Sequence, residues 1–139
     1  MDAPLLDLGK LSNYRFQVIN QLVPNTSAAG TYGNNSQLDR AFNRIVGVGY
    51  FETNDGGIPG NYSVGIKTDR QVWIDPINIF AWMANENVPV MCKYYSVNIP
   101  YGAGDTLYPL INTNAVLTDD LTGQLVLILV KDNIEQPRM

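Results

Sequence analysis

From Tyr14 the chain alternates at every step, with Tyr14, Phe16 and Val18 set against Arg15, Gln17 and Ile19 and the pattern running on to Val23. A period of two belongs to a strand with one face covered. It returns over Ile45 to Thr53, where Val46, Val48 and Tyr50 share one face and Gly47 and Gly49 the other. Bare glycines on one side of a strand admit a second backbone or a bulky ring at close range. Tyr62, Val64, Ile66 and Thr68 then alternate with Ser63, Gly65, Lys67 and Asp69. Between these runs Asn54 to Asn61 is dense in turn residues, which predicts a hairpin with an eight-residue connection. Val72 to Ile74, Val88 to Ile99, Thr106 to Ile111 and Ala115 to Thr118 add short strands, parted by turns at Pro100 to Asp105 and Thr118 to Gly123. Gln124 to Lys131 is apolar on both faces, which suits a central strand covered from both sides.

The remaining segments are read from turn and cap chemistry. Pro24 to Asn35 is a small-residue loop, long for a compact domain and therefore functional or mobile. Ser36 caps a single helical turn through Asp39 and Phe42. Asp75-Pro76 offers an N-cap and a first-turn proline, so Ile77 to Asn87 reads as a short helix with Ile79, Phe80 and Met83 inward. The competing reading is a loop that drops Phe80 and Trp82 into the core. Residues 1–13 form an arm carrying Leu5, Leu6, Leu8 and Leu11, lying in a groove of a neighbouring subunit or capping its own core. Residues 132–139 are a polar tail. Seven or eight short strands between residues 14 and 131 predict one all-β domain. The expected fold is a single β-sandwich, jelly-roll or immunoglobulin-like, with at most one short helix.

Composition changes this picture in one respect. Charged residues make up only 16% of the 139-residue chain, and neutral polar groups replace them, with 15 Asn, 6 Gln, 8 Thr and 5 Ser. An amide-rich surface is easier to desolvate against another protein than a Lys/Glu surface. The net charge of −4 and nine scattered basic residues argue against nucleic acid. Met1-Asp2-Ala3-Pro4 lacks the basic opening of a secretory signal, and the run Leu125 to Val130 is too short to span a bilayer. The three Asn-x-Ser/Thr triplets, at Asn25, Asn34 and Asn61, therefore carry no glycosylation claim. The lone Cys92 makes no internal disulfide and reads as a buried, inert thiol.

The chain has no histidine, which removes Ser-His and Cys-His nucleophiles and zinc sites built on imidazole. A glycosidase needs two facing acids, and no pair among the 13 acidic residues is marked. Gly104-Asp105-Thr106 is superficially similar to the aspartic-protease signature, but Leu107 stands where glycine is required, so Asp105 reads as turn chemistry. Asn54-Asp55 and Asp119-Asp120 supply hard oxygens on loops without the spacing of a calcium site. No catalytic residue, cofactor or metal is assigned. Among the aromatics, Tyr94 and Tyr95 are adjacent on a strand, so at least one faces outward.

Leu38-Asp39-Arg40-Ala41-Phe42-Asn43-Arg44-Ile45-Val46-Gly47-Val48, followed by a hairpin, resembles small β-sandwich capsid-associated proteins of bacteriophages over about the central hundred residues. The resemblance implies a non-enzymatic virion structural protein, a capsid vertex, spike or cement subunit. Such a protein is made in the host cytoplasm and assembles as a trimer or pentamer with itself and with other capsid proteins. Leu5, Leu6, Leu8, Tyr95, Tyr101 and Tyr108 are the interface candidates. The alternative is a carbohydrate- or receptor-binding module that stacks a glycan on Tyr101, Tyr108 or Trp82.

Overall fold

In the computed structural model, residues 14–83 and 94–131 are described. Their elements follow in the order β1 (Tyr14–Val23), β2 (Gly30–Tyr32), β3 (Ser36–Gln37), β4 (Arg44–Asp55), β5 (Tyr62–Thr68), β6 (Val72–Asn78), α1 (Ile79–Trp82), β7 (Tyr95–Pro100), β8 (Thr106–Thr113) and β9 (Leu121–Val130). Cys92, Leu5, Leu6, Leu8 and the polar tail lie outside the described residues.

The strands form two antiparallel sheets, ordered β1-β9-β4-β7 and β2-β8-β5-β6, with β3 also pairing to β8. Since β2 and β3 are two pieces of one strand along β8, each sheet has four rows. Apart from the β5–β6 hairpin and the short step from β2 to β3, every connection crosses from one sheet to the other. That winding is the jelly roll, and it decides between the two sandwich topologies the strand count allowed.

The two-sided apolar run at the C-terminal end is β9, between β1 and β4 in the middle of its sheet. Leu121, Leu125, Leu127 and Leu129 point inward and meet Ile45, Val48 and Tyr50 of β4 and Val64 and Ile66 of β5 in one buried cluster. A bulge between Ile45 and Gly47 shifts the phase of β4, so the inner row is Ile45, Val48 and Tyr50, and Val46 is only half-buried.

Several local expectations give way to tertiary pairing. β4 and β5 are not a hairpin: they lie in different sheets, and the turn arches over the end of the sandwich through Gly56, Gly57 and Gly60, all at positive φ. Ser36 opens no helical turn, because Ser36 and Gln37 pair with Leu107 and Thr106. The small-residue loop likewise contributes β2 to the edge of β8. Asp75-Pro76 continues β6 rather than starting a helix, on an edge strand where the missing proline N–H is tolerated. Among the described residues the helix is the single turn Ile79–Trp82, capped by Asn78, whose side chain accepts from Phe80 N, and the rest of the expected helix, residues 84–87, lies outside them. Ile79 and Trp82 are its buried residues, and Phe80, expected inside under both readings, is 61% exposed. Ala115 to Thr118 is a crossing loop, with Leu117 buried and tied through Leu117 N–Ser27 O at 3.0 Å.

Candidate functional interface on the four-stranded sheet

Strand β1 presents its apolar row to the outside. Its register with β9 places Arg15, Gln17, Ile19, Gln21 and Val23 on the inner side, and Tyr14, Phe16, Val18 and Leu22 on the outer. The inner polar groups explain the choice. Gln17 Nε2 donates to Gln37 O at 2.9 Å while its Oε1 accepts from Asp39 N at 3.1 Å. Gln21 Nε2 donates to Asn34 O at 3.0 Å while its Oε1 accepts from Asn34 N at 2.7 Å. Each glutamine thus pairs with the 34–39 segment as a strand's own amide would. Arg15 forms an ion pair with Asp39 at 3.0 Å and lies over the Phe42 ring. A one-residue slip would bury the aromatic row but strand these amides, each at about 1–3 kcal/mol.

The outer row continues across the sheet as packed side chains. Val126, Ile128 and Val130 of β9 pair with Val18, Phe16 and Tyr14, stand outside the interior cluster and are themselves buried. On β4 the outer row carries glycine: a Cβ on Gly49 would lie 2.8 Å from Tyr94 Cδ1 and 3.1 Å from Phe51 Cε2. The bare backbone therefore seats an aromatic ring, as the glycine pattern predicts. Phe16 and Tyr94 centroids are 6.2 Å apart, Phe51 and Tyr94 5.7 Å, and Tyr14 and Phe16 6.1 Å, so the rings run across three strands. Burial lifts the Tyr94 phenol above the usual tyrosine range. At the open side of this face Tyr14, Phe16, Val18 and Leu22 remain 40–50% exposed, while Asn20 on β1 and Arg44 on β4 bring polar and charged groups to the same outer rows.

The sequence candidates divide accordingly. One tyrosine of the adjacent pair does face outward, and it is Tyr94. Tyr95 stacks edge-on against Trp82 at 4.7 Å and packs on the core. Tyr101 is buried, its hydroxyl donating to Asp39 O at 2.7 Å. Tyr101 is therefore an interior residue, and Tyr95 is half-buried against the core. Trp82 is likewise buried, with Nε1 bonded to Val64 O at 3.0 Å, so two of the three proposed stacking platforms cannot meet a sugar. Tyr108 stays at the outer face of the second sheet, where Lys67 lies over its ring and its hydroxyl donates to Asp69 at 2.8 Å. That face is polar, with Thr31 bonded to Asn112 at 2.6 Å. Phe16 and Val18 are the surface residues that sequence reading passed over; the missing signal was which row of β1 faces in.

The polar clusters serve structure. Asp105 accepts from Gly102 N at 2.8 Å, closing its turn. Asn54 and Asp119 do meet, at 3.3 Å, but Asp55 accepts from Gly57 N and Asp120 from Asn25 N. Among the described residues no group of three or more acids or other ligating side chains is placed to hold a metal. Inside the sandwich Tyr62 donates to Glu52 at 2.6 Å, and Tyr50 OH is buried without a partner. Burial and Glu52 raise both phenols well above their ordinary range, so they are neutral hydrogen-bonding groups. Removing the orphaned hydroxyl, Tyr50→Phe, is expected to raise the unfolding free energy by about 1 kcal/mol, read from urea denaturation midpoints.

Among the described residues no helix is long and apolar enough to cross a membrane. No family model matches the chain, and no curated protein matches it. Among solved structures, dimeric latent PorU from Porphyromonas gingivalis is similar over 88% of this chain and 13% of its own, at 12% identity and a TM-score of 0.39. At that score the likeness carries no argument about function.

Proposed function

We propose that the chain is a non-enzymatic structural subunit of a virion, a capsid vertex, spike or cement protein that works by meeting copies of itself and other capsid proteins. The observation that carries this reading is the exposed apolar row Tyr14, Phe16, Val18 and Leu22 along β1 on a jelly-roll sandwich. Contiguous apolar surface on a folded domain marks an interaction site, and the jelly roll recurs in capsid and lectin domains. A lectin-like role loses support from the burial of Trp82 and Tyr101. An enzyme loses support from the absence of histidine and from carboxylates engaged in turns.

Size-exclusion chromatography with light scattering, followed by electron microscopy of concentrated protein, tests the proposal. A trimer, a pentamer or a larger shell is the expected result. A monodisperse monomer at every concentration overturns it.

A further inference from the structure

Strand β1 is the outermost strand of its sheet, and most of its outward edge is open. Leu22 N is bonded to Asn34 Oδ1 at 2.7 Å and not to β9. Because an antiparallel ladder alternates, the backbone groups of Asn20, Val18, Phe16 and Tyr14 point the same way. Among the described residues nothing bonds the edge N–H and C=O of Phe16, Val18 or Asn20. Asn34 therefore closes one end of the edge and leaves the stretch Tyr14 to Asn20 ready for another strand. A long apolar edge left in this state is a template for strand addition.

We infer that this edge receives the N-terminal arm of a second copy, residues 4–11, as an added strand; the inference rests on the subunit reading above. Three features select the arm. In an extended strand Leu6 and Leu8 share one side, continuing the Phe16–Val18 face, and Asp7 takes the other. Asp7 then lies on the side of Arg15, whose guanidinium has one acid at 3.0 Å and is 60% exposed. Residues 4–11 span about 26 Å when extended, close to the roughly 23 Å of the open stretch of edge, and residues 12 and 13 join them to their own β1 over about 10 Å, so the two copies abut. The contact is head-to-tail, which makes rings where the rotation closes and open filaments where it does not.

Two full-length variants test it. Leu6→Asp/Leu8→Asp disables the arm. Val18→Pro blocks the edge without removing a ladder bond, since the Val18 N–H points away from β9. Each alone is expected to weaken assembly by about a hundredfold, as lost burial of two leucines implies, with circular dichroism unchanged. Mixed one to one, they are expected to form a heterodimer, the intact arm of one on the open edge of the other. If Val18→Pro unfolds, Val18→Lys replaces it, blunting the edge with a charge. An arm that folds back on its own edge gives no complementation in the mixture, and that result overturns the inference. If both variants assemble as well as the unaltered chain, the inference falls and the subunit reading stands. If the unaltered chain is monomeric at every concentration, both fall.

Discussion

Leu127→Asp leaves no soluble folded protein. Leu127 is fully buried on the inner row of β9, paired with Gln17 of β1 and Val48 of β4. Truncating a buried leucine costs about 2–5 kcal/mol, and an unpaired carboxylate in the same place adds several more. The sum is comparable with the 5–15 kcal/mol by which a whole domain is stable. Soluble yield and far-ultraviolet circular dichroism are the measurements. The partner experiment is Val126→Thr, one residue along and on the outer row, which keeps the fold. Equal behaviour of the two variants would mean that β9 is not the divider between interior and outer face.

The second large effect is at Gly65. Here β6 folds over the outer side of β5, and a Cβ on Gly65 would strike the Ile74 carbonyl oxygen and lie 2.7 Å from Pro76 N. Both obstacles are backbone, and the β5–β6 register already shifts between Val64 and Ile66 to make room. Gly65→Val therefore forces β6 off its neighbour, and α1 moves with it because its first residue follows β6 directly. The expected destabilisation is about 3 kcal/mol, a fall in melting temperature of about 10 °C. A thermal melt within 2 °C of the parent chain, on the order of half a kcal/mol, would show that β6 packs loosely.

How far the residues announced this fold depends on the range of the physics involved. The apolar run of β9 is local, so its central place is readable from Gln124 to Lys131 alone. The glycines of β4 likewise predict a ring at close range, and Tyr94 is that ring. The facing of β1 is not local. Its alternation fits either face, and the choice falls to Gln17 and Gln21, whose partners lie 13–22 residues away. Turn residues at Asn54 to Asn61 show where the chain reverses but not which sheet receives it, so an arch reads as a hairpin. Which of Tyr94 and Tyr95 turns outward is non-local as well, because Tyr95 packs on Trp82, a contact between separate elements. Asp75-Pro76 carries a helix-start signal that strand pairing with Val64 and Ile66 overrides.

The two outer surfaces of the sandwich differ in kind, one a dry floor of Val, Ile and aromatic rings, the other a wet roof of Thr31, Lys67, Tyr108 and Asn112 tied to one another and to Asp69. A tile of this sort has an up and a down. In any layer that hides the floor, every copy stands the same way up. In a layer assembled as proposed above, solvent would meet β2, β5 and β8 rather than the floor.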